Sequence, residues 1–75
     1  MLPLVSMVLT LRRAENGLSM RDVAEMAGVE PKDVFEAENY IHDASVSAVW
    51  KIAEALNVDV DKIQDLEREF NPYYC

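Results

Sequence analysis

The sequence predicts a single small all-α domain built from five short helices. Three observations predict it. The chain has 75 residues, which is one domain at most. Its apolar fraction of 51% is ample for a core, so it is not a disordered tail. Apolar residues recur at helical spacing along the chain, and helix-start and helix-stop residues punctuate them.

The first helix is expected from about Leu4 to Glu15, with Leu4, Val8, Leu11 and Ala14 on one face. Pro3 suits its first turn, where a missing N–H costs nothing. Asn16-Gly17 stops it, because both residues tolerate the left-handed conformation of a C-cap. The second helix starts at the N-cap Ser19, with Asp22 placed for a shortened capping box. Val23, Ala24 and Ala27 give its apolar face, and Gly28 ends it. The third helix has Pro31 at its first position, Val34 and Ala37 inward, and an expected end at Asn39 through positive φ. Ser45 caps the fourth helix, whose stripe is Val46, Val49, Ile52, Ala53 and Leu56. Asn57 breaks it. Asp59 caps the fifth, with Val60, Ile63, Leu66 and Phe70 as its stripe. Residues 1–70 form the domain and 71–75 a tail, which could make a dimer contact or pack on helix 1.

Charge and cysteine usage narrow the function classes. The net charge is −7. Residues 1–29 hold three Arg against three acids, residues 30–40 one Lys against four acids, and residues 41–75 three cations against seven acids. No basic stripe of the kind that tracks phosphate is visible. The single Cys75 reads as a free thiol, or as half of an intermolecular disulfide. One Cys and the single His42 cannot build a zinc site, and no cofactor is expected. The apolar stretch Met1–Leu11 falls short of the ~20 residues that span a bilayer. It also lacks a basic flank, so a cytoplasmic protein with no membrane contact is expected. No nucleophile stands with a base, and there is no glycine-rich phosphate loop. An enzyme is therefore not expected. The acids of helix 5 (Asp59, Asp61, Asp65, Glu67, Glu69) read as a solvated face, and Trp50 as cover for the core edge.

The most informative segment is 19–38, where two short helices meet at a tight turn centred on Gly28. The strings Gly17-Leu18-Ser19, Val23-Ala24, Gly28-Val29, Val34 and Glu38-Asn39, followed by residues 49–63, resemble the Cro/C1-type (Xre) helix-turn-helix profile. The resemblance covers roughly residues 9–66. It implies a lambda-repressor-like fold, and an Arg13–Glu38 ion pair between helices 1 and 3. It also implies a regulator that docks helix 3 in the major groove of duplex DNA, commonly as a homodimer. Arg12, Arg21, Lys32 and Glu36 are then the candidate DNA contacts.

The sequence departs from that profile on its outer face. Glu30, Asp33 and Glu36 stand where uncharged or basic residues are usual, and Met20 where a phosphate-holding Gln is common. Met20, Met26, Phe35 and Tyr40 are apolar where the profile is polar, although Phe35 could instead fold back into the core or pack with Tyr40. A contiguous apolar patch marks a protein partner. The alternative reading is therefore a protein-binding module on the same fold (antirepressor, antitoxin-like or phage inhibitor) that uses those four residues. Phe35 exposed beside Met20 and Met26 would favour the protein partner. Lys32 and Arg21 converging on one basic face would favour DNA.

Overall fold

A computed structural model of the chain describes residues 3–70. Five helices follow one another: α1 (Pro3–Glu15), α2 (Met20–Ala27), α3 (Pro31–Asn39), α4 (Val46–Ala55) and α5 (Val60–Phe70). The described residues contain no strand. The fold is thus all-α, as the sequence predicts. No described helix is long and apolar enough to cross a membrane.

Three of the helices stop in the same way. Gly17, Gly28 and Asn57 each hold a left-handed backbone, with φ of 65°, 71° and 60°. The next residue then turns its N–H back onto the ending helix. Leu18 donates to the Arg13 carbonyl at 3.1 Å, Val29 to Ala24 at 3.0 Å and Val58 to Ala53 at 2.8 Å. Each of those residues is apolar and packs against the core. The stop and the turn into the next helix are therefore one device, a backbone bond plus a hydrophobic anchor. A Cβ at Gly17 or Gly28 would meet nothing within 4 Å. The two glycines serve their φ and not a close approach.

The starts are set by side chains. Ser19 Oγ accepts the Asp22 N–H at 3.0 Å, and Asp22 returns the bond to the Ser19 N–H at 2.9 Å. Pro31 occupies the first turn of α3, and Asp33 accepts the Glu30 N–H at 3.0 Å. Ser45 accepts from Ala48 and Asp59 from Lys62, capping α4 and α5.

The core joins Val5 and Leu9 of α1 to Val23 and Ala24 of α2, Val34 and Ala37 of α3, and Ile41. Val49, Ile52 and Ala53 of α4, the C-cap Leu56 and Val60 complete it. Four expectations need correction. The inward face of α1 is Val5 and Leu9, whereas Leu11 and Ala14 are exposed. Nearly every side of α1 is apolar up to Leu11, so periodicity alone cannot set its rotation. Polar anchors described below do so. In α4, Val46 is exposed and Ala48 takes the buried place. In α5, Leu66 is exposed, while the Phe70 side chain lies outside the described residues. Asn39 is helical and donates its side-chain N–H to the Phe35 carbonyl, and Tyr40 closes α3 with φ −134°. The positive φ expected at Asn39 occurs at Asn57. Cys75 and the tail lie outside the described residues.

The α2 cap has a pH signature. The Ser19 N–H, and then its hydroxyl, hold the Asp22 carboxyl below its ordinary pKa. A folded pKa below the unfolded one contributes stability above the unfolded value, near pH ~4, which is lost as pH falls through the folded value. Thermal melts recorded while acidifying through that window should show a shallower loss in Asp22→Asn than in the parent chain. Ser19→Ala should cost about 1 kcal/mol in a denaturant titration at neutral pH.

Candidate nucleic-acid interface

Burial decides which side of α3 faces out. Val34 and Ala37 are fully buried against α2 and α4, and the Glu38 side chain is 3% exposed. At 100° per residue the opposite side carries Lys32, Phe35, Glu36 and Asn39. Phe35 and Asn39 are exposed and Glu36 half-buried, and the Lys32 side chain is 71% exposed. Apart from the half-buried Glu36, this row is open to solvent.

The rotation of α3 is held from α1. Arg13 Nε donates to Glu38 Oε2 at 2.7 Å and Nη2 to Oε1 at 3.1 Å, a fork-on-fork pair. Arg13 Nη1 donates to the Leu18 carbonyl at 2.9 Å, so one guanidinium also holds the α1–α2 link. The bond to Glu38, opposed by partial burial, raises the Arg13 pKa. The Ser6 hydroxyl adds a bond to the Glu38 carbonyl. Together these contacts turn the Ser6–Arg13 side of α1 toward α3.

The candidate contacts differ in how free they are. Arg21 is exposed on α2 and forms no ion pair among the described residues. Lys32 Nζ lies 3.8 Å from Glu36 Oε1, so the one cation of α3 is offset by its own helix. Arg12 turns to the other end of the molecule, where Nη1 donates to the carbonyls of Leu56 and Asn57 at 3.1 and 3.2 Å. It caps α4 through one of its terminal nitrogens. Lys51, not singled out in the sequence, borders a groove with Gly28, Glu30, Asp33, Ser45 and Ser47, beside the start of α3. Burial of Val49, Ile52 and Ala53 forces Lys51 outward, and the α4 stripe already contained that signal. Arg21, Lys32 and Lys51 are opposed by Asp22, Glu25, Glu30, Asp33 and Glu36, so the local field is acidic.

The four apolar candidates differ in their surroundings. Met20 is half-buried and packs on the core. Met26 is exposed, but it lines a groove with Ala27, Lys51, Glu54 and Ala55 against α4. Phe35 contacts Tyr40, ring centroids 5.8 Å apart. Tyr40 in turn borders Met7 of α1, which the sequence reading did not include.

A family model described as helix-turn-helix matches residues 9–63, which span from the middle of α1 into α5. No curated protein and no solved structure matches the chain.

Removing Arg13 would strand a nearly enclosed carboxylate. Arg13→Met should therefore cost about 3 kcal/mol, much of the roughly 5 kcal/mol expected of so small a domain. Replacing both partners by leucine should recover most of that loss. Urea midpoints of the two variants and the parent measure the difference.

Proposed function

This chain belongs to the Cro/C1-type helix-turn-helix family, and we propose that it is a small cytoplasmic transcriptional regulator that lays α3 in the major groove of duplex DNA. The family is one of DNA-binding regulators rather than enzymes. The observation that carries the reading is the exposed outer side of α3, braced from α1, with Lys51 beside its start and Arg21 exposed on the preceding helix. Arg21 and Lys51 approach phosphates from either side. Lys32 reaches a phosphate or a guanine edge, and Glu36 accepts from a cytosine amino group. A homodimer would set two such helices one turn of the duplex apart.

The acidic surroundings set the character of the interaction. Few cations are free, so few counterions are released and the sequence-independent part of the affinity is small. Specificity then rests on base-edge contacts rather than on bulk attraction.

A second reading is favoured by the exposed Phe35–Tyr40 pair next to a compensated Lys32. In it the same fold serves as a protein-binding module, with α3 as part of the contact. Aromatic side chains free of nearby net positive charge suit a protein interface better than a phosphate backbone.

Fluorescence anisotropy with a random duplex at low ionic strength tests the first reading. Saturable binding is expected, with log affinity falling against log salt at a slope of about −3. Lys32→Ala and Arg21→Ala should each weaken it several-fold. Glu36→Gln should tighten it several-fold by releasing Lys32 and removing a repelled carboxylate. An absence of duplex binding at low salt would sink the regulator.

A further inference from the structure

We propose that the junction of α1 and α3 is a docking site for a basic protein segment that inserts an apolar side chain. The proposal deepens the second reading above and rests on it.

Tyr40 makes the surface continuous. On one side its ring meets Phe35 at an interplanar angle of 56°. On the other it lines an open groove of about 410 Å³ with Ser6, Met7, Ile41, His42 and Asp43. Phe35, Tyr40 and Met7 remain 46%, 57% and 60% exposed. Single apolar side chains on a surface are ordinary, but three in mutual sequence across two helices form a patch. Methionine and tyrosine are also the residue types that adapt to a partner's surface.

The groove selects what enters it. Ile41 is buried, and Ser6 has already committed its hydroxyl to the Glu38 carbonyl. An aliphatic or aromatic side chain therefore fits there better than a polar one. The charge on its margins selects the rest of the partner. Asp43 borders the groove, and on the α3 side Lys32 and Glu36 offset each other, so no net cation opposes it there. The chain as a whole carries −7. A segment rich in lysine or arginine complements that field, and a nucleic-acid strand does not. A second copy would bring the same acids and the same net charge, which disfavours it.

The test is an amide-shift titration of the isotope-labelled full chain by NMR. The probe is an amphipathic peptide built of leucine and lysine, with its leucine–glutamate counterpart as control. Saturable shifts are expected at Ser6, Met7 and residues 39–43 with the basic peptide, and none with the acidic one. Tyr40→Ala and Met7→Ser should each weaken binding roughly tenfold, about 1.4 kcal/mol, with helical circular dichroism unchanged. Glu54→Lys, beside the separate Met26 groove, should change affinity less than twofold. Shifts centred on Met20 and Met26 instead would overturn this site while leaving the second reading standing. No saturable shift anywhere on the chain would overturn both. Groove amides that move on dilution of the chain alone, or on removal of residues 71–75, would assign the groove to a second copy or to the chain's own terminus and overturn the proposal.

Discussion

One guanidinium sets the geometry of the helix pair. Arg13 joins the Glu38 carboxylate to the Leu18 carbonyl, so α1, the α1–α2 link and the last turn of α3 meet at one group. The pair is costly to desolvate, and an apolar replacement of equal volume would stabilise the fold as well or better. What an apolar contact cannot supply is direction. Two parallel N–H···O bonds admit one orientation, and a slide of α3 by one residue would break both. The outward row of α3 depends on that fixed rotation.

The rest of the molecule is held together with little redundancy. Valine dominates the fully buried positions, where Leu9 and Ile52 are the larger side chains among the described residues. Small side chains let short helices approach closely, but each contributes modest burial. Local devices supply much of the definition: three left-handed stops with apolar anchors, and serine or aspartate at the starts of α2, α4 and α5. Such a fold tolerates change on its outer faces and little at its joints, which suits a scaffold whose surface chemistry departs from its family's.

Much of this was legible in the sequence, and the divide follows physical lines. Ser19, Gly28, Pro31, Ser45 and Asp59 act through the backbone of their own neighbours, so local reading located every helix. Helix rotation is a long-range property. On α3 a polar majority left one apolar side, which identified Val34 and Ala37, and on α2 the charged Arg21, Asp22 and Glu25 set off Val23 and Ala24. On α1 nearly every side is apolar up to Leu11, and the choice of Val5 and Leu9 is made by Ser6 and Arg13 bonding to α3. The candidate interface divides likewise. Lys32, Phe35 and Glu36 were identified as an outer row because they share one helix. Phe35 packs with Tyr40, one of the outcomes its sequence position offers, whereas the groove that Tyr40 shares with Met7 joins distant parts of the chain and could not be read locally.

The family signature begins at residue 9 and ends at residue 63, yet neither limit is a seam in the molecule. Before the first lie the fully enclosed Val5 and the Ser6 hydroxyl bonded to α3. Across the two flanks the Leu4 N–H bonds the Glu67 carboxylate at 3.1 Å, joining the opening of α1 to the late turns of α5. The cooperative unit is thus larger than the portion that evolution has kept recognisable. A fragment trimmed to the signature would discard a latch whose two halves both lie in the discarded ends, and so would lose order in the middle that it retained.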